Sequence, residues 1–225
     1  MNRLTYFLLL SIPLLIQEPV SAQQKFSDGE ITYDVQVDLP PGTPAQNAAA
    51  LAGSRLIYSF KNYLFRSDIY FGKTTYTNIH NSRDHSAVTL ITTGPNKYLI
   101  RMNEADLAKE SARYDGVTFT DEGSEKKIAG YNCRKAMGKL KDGSTFTVYY
   151  TPDLIPEDME YNARFKGLKG LPLAFEMTTS HHLKMTMTAS NVVIGPQPSV
   201  KFRTPVSGYR EITYNELENL RKANK

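Results

Sequence analysis

The sequence predicts a mainly β fold: one curved antiparallel sheet or incomplete barrel, with a short helix after the first strand and a second helix at the C-terminal end. Apolar and polar residues alternate strictly from Ile31 to Leu39, which is typical of a strand with one buried face. Asp142-Gly143 lies between two β-like runs and is a strong hairpin signal. Chains that form parallel sheets alternate strand and helix patterns, and this sequence shows no such alternation.

The N-terminal residues have the layout of a secretion signal. A basic start at Arg3 precedes an apolar stretch over 4–16 and the small residues of Val20-Ser21-Ala22. We therefore expect a signal peptide over residues 1–22 that is cleaved after Ala22. The apolar stretch is shorter than the roughly 20 residues that a membrane-spanning helix needs. We expect the mature chain, residues 23–225, to be a single soluble domain without a membrane span, periplasmic or secreted.

Composition excludes some classes of partner. The formal net charge is +4, and the basic residues are scattered among acids. A nucleic-acid-binding surface would instead cluster them on one face, so no nucleic-acid partner is predicted. Cys133 is the only cysteine and cannot form an internal disulfide, so we expect it to be buried as a small apolar residue.

The first strand and helix are well marked. Pro40-Pro41-Gly42 ends the alternating run. Thr43, Pro44 and Gln46 then form a predicted helix start, in which the threonine caps, the proline takes the first helical position and the glutamine reaches back. The helix is short because Gly53 ends its alanine-rich turns.

β-like runs occupy most of the remaining chain. Gly94-Pro95-Asn96 is a predicted turn between two of them. The last helix is predicted to begin at Thr213, because Thr213 and Glu216 can form a capping box while Ile212 and Leu217 suit a hydrophobic staple. The runs cover 54–60, 63–71, 86–93, 97–103, 134–140, 144–150, 171–178 and 181–193.

The pair of runs over 171–178 and 181–193 has one apolar and one polar face, so one face must be buried. Methionine is flexible and polarizable, which suits both a filled core and a surface for acyl chains. A third possibility is a Cu(I) site of thioethers with His181, ranked last. The predicted ligand-binding set joins this apolar face to two residues of the first strand: Tyr33, Val35, Leu173, Phe175, Met177, Leu183, Met185 and Met187.

The polar residues offer weaker candidate sites than this apolar face. His80, Asp84 and His85 lack the spacing of a metal motif, and a solvated loop is the favoured interpretation. The acidic cluster over 153–160, which includes Asp158, lacks the order of a calcium loop and is interpreted as a solvated connection. A Cys133 nucleophile would need an activating base that no motif supplies. No catalytic residue, metal or cofactor is predicted, and the chain is not expected to be an enzyme.

Four segments together resemble a known group of proteins. They are Gly-x-Ile-x-Tyr at 29–33, IAGYNC at 128–133, GLKGLPLAFEM at 167–177 and FRTPVSGYREIT at 202–213. The chain is similar to uncharacterised secreted proteins akin to the GLPGLI family, grouped with the LolA/LolB-like lipoprotein carriers. The resemblance implies an incomplete antiparallel barrel closed by helices, with a cavity for acyl chains.

Three functions remain open at this point, of which a hydrolase that uses Cys133 or the acidic cluster over 153–160 is the third. The first is binding of a hydrophobic ligand or a lipidated partner, such as an acyl chain, lipid or lipoprotein, in the hollow of a half-barrel. The alternative is a protein-interaction module of the cell envelope that has a filled core and uses an edge strand or the polar sheet face.

Overall fold

The structure is a computed structural model, which describes residues 23–178 and 183–223. The predicted signal peptide, His181 and His182 lie outside the described residues. The strands are β1 (Gln24–Phe26), β2 (Asp28–Asp38), β3 (Arg55–Lys61), β4 (Leu64–Phe71), β5 (Thr74–Asn81), β6 (Ser86–Thr93), β7 (Asn96–Met102), β8 (Thr118–Ile128), β9 (Tyr131–Lys139), β10 (Thr145–Thr151), β11 (Leu154–Pro156), β12 (Leu171–Thr178), β13 (Lys184–Ile194) and β14 (Arg210–Glu211). The α-helices are α1 (Ala45–Leu51), α2 (Glu104–Ser111) and α3 (Tyr214–Ala223), and short 3-10 helices cover Ala112–Tyr114, Ala163–Phe165 and Ser199–Phe202.

Twelve strands form one sheet, in the order β14-β7-β6-β5-β4-β3-β2-β13-β12-β10-β9-β8. Within it, only β14 pairs in parallel with its neighbour. Strands β1 and β11 form a separate parallel pair, which the sequence did not predict. The two edges, β8 and β14, are not paired with each other among the described residues, so the sheet is open. The prediction of a mainly antiparallel sheet with short helices is confirmed.

The sheet bends toward one face. Tyr58 on β3 and Phe175 on β12 are three strand steps apart, which is about 14 Å in a flat sheet. Their ring centroids lie 6.3 Å apart. We call the face that carries these two rings the inner face and the opposite one the outer face.

The segment over 157–170, here called the inner segment, connects β11 to β12 and packs into the bend. The ring of Tyr161 lies 5.0 Å from those of Phe60 and Phe65, and the ring of Phe165 lies 4.9 Å from that of Phe175. Because the rings meet edge to face or tilted, they interdigitate and form the main core.

A second, smaller core lies at the β6–β7 end of the inner face. Tyr214 and Leu217 of α3 are buried there against Ile100 and Met102 of β7. The start of α3 is as predicted: the amide of Glu216 donates to Thr213 Oγ1 at 3.2 Å, and the amide of Thr213 donates to Glu216 Oε2 at 2.7 Å. Ile212 is buried in the same cluster as Leu217. The capping box therefore anchors α3 over this end of the sheet.

The chain after β13 crosses the outer face toward the far edge. Lys61 Nζ donates to the carbonyl oxygen of Gln197 at 2.9 Å, and Arg66 donates to that of Lys201. Lys201 also forms an ion pair with Glu30 of β2. These contacts guide the chain to β14, which pairs with β7 at Tyr98 and Leu99.

Local details differ from the sequence predictions at two helices. The predicted Thr43 cap of α1 is wrong: Pro44 holds the cap position without a side-chain bond, and Thr43 Oγ1 donates to the carbonyl oxygen of Pro40 at 2.6 Å. Helix α2 was not predicted, although Asn103 caps it by accepting from the amide of Asp106 at 3.0 Å. Both differences arise because short polar side chains can hydrogen-bond to any of several nearby backbone groups.

Candidate functional site

Strand pairing brings the predicted ligand-binding residues together on the inner face. Phe175 pairs with Met187, and Met187 pairs with Val35. In the next row Met177 pairs with Met185. The sequence therefore identified a continuous apolar surface across β12, β13 and β2.

Burial divides this surface into two parts. In the deep part, Tyr33, Leu173 and Met187 are each 0% exposed, and Phe175 and Met185 are 3% exposed. The inner segment packs against this part through Phe165 and Phe175, so a ligand could reach these side chains only if the inner segment moved.

The other part is only half-buried. Val35, Val37, Ile69, Phe71 and Met177 pack against the main core but remain partly exposed. We call these five side chains the open end. Strands β2, β4 and β12 run in the same direction because antiparallel strands separate them, so their C-terminal halves meet at one end of the sheet. The half-buried predicted residue Leu183 directly precedes β13.

Arg164 of the inner segment places a positive charge beside the open end. Its guanidinium carbon lies 5.9 Å from the ring centroids of Phe146 and Phe175, and 5.0 Å from that of Tyr114. Nη1 donates to the carbonyl oxygen of Glu176 at 3.3 Å, and Nη2 donates to the hydroxyl of Tyr114. No ion pair of Arg164 occurs within 23–178 and 183–223. The sequence does not identify this residue, because no motif surrounds it in the chain.

A cluster of three polar side chains lies at the end of the inner face opposite the open end. His80 Nδ1, Asp158 Oδ2 and Tyr161 Oη are buried atoms without a hydrogen-bond partner among the described residues. Burial lowers the pKa of His80, while the nearby Asp158 carboxylate acts to raise it. Burial also raises the pKa of Tyr161 well above its usual value. Such atoms commonly bind an ordered water, and one water can donate to the carboxylate while accepting from the phenol.

These positions correct two interpretations from the sequence. His80 lies on β5 and not in a solvated loop, although Asp84 and His85 do lie in the turn that follows. The acidic connection is solvated only in part, since Glu160 pairs with Lys166 at the surface whereas one oxygen of Asp158 is buried. The sequence separates His80 and Asp158 widely, so only the fold brings them together.

Cys133 is buried, as predicted, and is 1% exposed. Burial raises the pKa of its thiol to about 11, so the thiol stays protonated near neutral pH. Across 23–178 and 183–223, no three His, Cys, Asp or Glu side chains are arranged to hold a metal ion.

Two surface concavities lie away from the open end. One lies between β7, β14 and the chain over 204–209 and includes Arg101 and Glu211. The other lies beside β1 and includes Lys25 and Glu157. Neither contains a residue of the predicted ligand-binding set, and both are lined by a mixture of apolar, polar and charged residues.

No family model and no curated protein matches the sequence. Solved structures similar to this chain include PNGF-II, with a TM-score of 0.47, 17% identity and coverage of 86% of this chain and 33% of that one. An uncharacterised conserved protein from Thermus thermophilus has a TM-score of 0.47 and 11% identity, with 83% of this chain and 91% of that one covered. A β-barrel-like protein of a domain of unknown function from Brucella abortus has a TM-score of 0.37 and 7% identity, with 76% and 99% covered.

The chain thus spans about a third of PNGF-II. Among the described residues, none of the helices combines the length and the apolar character needed to span a bilayer. The chain is an open, largely antiparallel β protein whose similar solved structures include proteins of unknown function.

Proposed function

We propose that this protein is exported and binds a hydrophobic ligand, an acyl chain, at the open end of an incomplete barrel. The observation that supports the proposal is the half-buried apolar set Val35, Val37, Ile69, Phe71 and Met177. Partly exposed apolar side chains that adjoin one another are typical of binding surfaces. A bound chain would remove their remaining surface from water, at roughly 25 cal/mol for each Å² buried.

The packing of the deep part limits where the chain can lie. Because Phe165 and Tyr161 fill the bend, the acyl chain is proposed to run across the open end and not into the core. Met177 suits this role, since a thioether side chain adapts to ligands of different shape. The resemblance to LolA/LolB-like carriers supports an acyl ligand, and the layout of residues 1–22 supports export.

The alternative function, a protein-interaction module, could use the edge strand β8, but the properties of this edge do not favour it. Residues 120–127 of β8 are all exposed and include several charged side chains, and the pairing register shifts between Asp121 and Glu125. Charges and a bulge are features by which edge strands avoid pairing with another chain. Addition of a partner strand is therefore disfavoured on this side.

Binding of N-phenyl-1-naphthylamine, a neutral apolar dye that fluoresces in apolar surroundings, tests the proposal. The purified protein is expected to enhance the dye fluorescence, and dodecan-1-ol is expected to displace the dye. Val37→Glu is expected to weaken dye binding by about tenfold or more, because it places a charge in an apolar site. Val35→Trp should have a similar effect by occupying the space without adding a charge.

Val193→Glu is the matched control. Val193 lies on β13 in the same sheet, pairs with Glu30 and is 48% exposed, so a glutamate there should leave binding unchanged. Circular dichroism and thermal melting establish that each variant is folded. Folded Val37→Glu and Val35→Trp proteins that bind the dye like the unmodified protein would exclude the open end as the site.

A further inference from the structure

We propose that the open end selects an acyl chain that ends in a carboxylate, a free fatty acid, and that Arg164 binds this carboxylate. The inference depends on the proposed acyl-binding function and names its ligand class. Its basis is the environment of the Arg164 guanidinium, which is aromatic and lacks an anionic partner among the described residues.

Arg164 differs from two other arginines of this chain that bind a carboxylate. Arg66 forms hydrogen bonds to both carboxylate oxygens of Asp68, at 2.6 and 2.8 Å. Arg221 does the same with Glu110, at 2.8 and 3.1 Å. Both acceptors of Arg164, a carbonyl oxygen and a phenol, are uncharged. A guanidinium in apolar surroundings is normally paired with an anion.

The carboxylate nearest in sequence to the acceptor carbonyl is not directed at Arg164. The side chain of Glu176 accepts from the backbone amide of Thr147 at 3.3 Å and pairs with Lys184 Nζ at 2.7 Å. Because side chains alternate along β12, Glu176 points to the outer face while Phe175 and Met177 point inward. The inner face therefore offers Arg164 aromatic rings and no charge partner among the described side chains.

Arg164 has N–H donors that are not used by the described residues and can bind a ligand. A guanidinium has five N–H donors, and Arg164 uses one on the Glu176 carbonyl and one on Tyr114. The contacts with Tyr114 and Phe146 hold the group in place, which reduces the entropy lost when a ligand binds. Three donors remain within the described part of the chain, and two donors of a planar guanidinium can bind a carboxylate together.

The position of Arg164 joins the charge to the apolar surface. The group bonds to the carbonyl of Glu176, directly before Met177 in β12. Met177 pairs with Met185, which pairs with Val37, so the half-buried Met177 and Val37 lie in one row on either side of the buried Met185. A fatty acid can thus place its carboxylate on Arg164 and extend its chain past Met177 across the half-buried side chains of the open end.

Displacement of N-phenyl-1-naphthylamine by two ligands of equal chain length tests the inference. Dodecanoate is expected to displace the dye from the unmodified protein at about tenfold lower concentration than dodecan-1-ol, the scale of one charge-assisted contact. Arg164→Gln should remove this preference, so that dodecanoate and dodecan-1-ol displace the dye at similar concentrations. Arg164→Lys should keep part of the preference, because it keeps the charge and loses the fork.

The matched control is Arg203→Gln, which removes the same charge from an exposed position after the 3-10 helix Ser199–Phe202. This variant should keep the full preference. Equal displacement by both ligands in the unmodified protein would overturn the carboxylate inference while leaving acyl binding intact. Failure of the dye and both ligands to bind would instead overturn the proposed function. If dodecyl phosphate displaced the dye and dodecanoate did not, the anion would be a phosphate and the inference would be wrong.

Discussion

The hydroxyl of Tyr33 on β2 donates a hydrogen bond of 2.8 Å to the carbonyl oxygen of Pro172 on β12, across the intervening strand β13. Tyr33 is 0% exposed, and its ring lies 5.6 Å from that of Phe175. One side chain thus links two strands that have no backbone pairing with each other.

Tyr33→Phe should therefore lower the free energy of unfolding by about 1–3 kcal/mol, because it leaves a buried carbonyl oxygen without its donor. Urea denaturation followed by circular dichroism measures the change. An outer-face substitution at Val193, which is 48% exposed, should change the value by less than about 0.5 kcal/mol. Equal stability of Tyr33→Phe and the unmodified protein would contradict the role of this bond in holding the bend.

Of the two glycines in the GLKGLP segment, Gly170 is expected to tolerate substitution less well than Gly167. A Cβ atom at Gly170 would lie 2.1 Å from the carbonyl oxygen of Thr151, whereas a Cβ at Gly167 would meet nothing within 4 Å. Gly167→Ala should lower the free energy of unfolding by about 1 kcal/mol, because φ is +89° there. Gly170→Ala should lower it by more than about 3 kcal/mol, since the backbone must move. Thermal unfolding of both variants checks the order, and equal melting temperatures would contradict it.

Stability should fall on mild acidification because of His80. Burial lowers the pKa of His80 in the folded state below the ordinary value of 6.5. The unfolded chain therefore binds the proton first, so this contribution to stability is present above pH 6.5 and is lost as the pH falls toward the folded-state pKa. His80→Gln should reduce the slope of the unfolding free energy between about pH 7 and pH 5.

The control for this pH dependence is His85→Gln, because His85 is exposed in the turn after β5. That variant should keep the slope of the unmodified protein. If both histidine variants kept the same slope between about pH 7 and pH 5, the burial of His80 would not be the cause.

Cys133 should resist alkylation in the folded protein. The residue is 1% exposed, and burial raises the pKa of its thiol to about 11, so little of the reactive thiolate forms near neutral pH. Iodoacetamide at about pH 8 should label the urea-unfolded chain at least about tenfold faster than the folded one. Mass spectrometry measures the labelling. Rapid labelling of the folded protein would contradict this prediction and make Cys133 a candidate nucleophile.

The sequence predicted the elements whose local pattern agrees with their place in the fold. The period-two run of β2, the Asp142-Gly143 hairpin between β9 and β10 and the capping box of α3 are all confirmed. Each depends on residues that are close in sequence, so propensity and patterning are sufficient to identify it.

Strand β5 was not predicted because its inner face is polar. Asn78 and His80 occupy positions that pair with Ser67 and Phe65 of β4, and Asn78 Oδ1 accepts from Thr89 of β6 at 2.7 Å. Cross-strand hydrogen bonds here replace the apolar alternation that usually marks a strand. Arg164 was missed for a different reason, since its importance depends on partners that the fold supplies from distant parts of the chain.

The pairing of β2 with β13 has a consequence for how the protein is made. Val35 meets Met187 only after nearly the whole polypeptide has been synthesised, and closing so long a loop makes folding slow. Until β13 arrives, one side of β2 has exposed amides and carbonyls and its valines lie in water. A nascent chain in this state has an unpaired strand edge and exposed apolar side chains, both of which favour association with other chains until β13 pairs with β2.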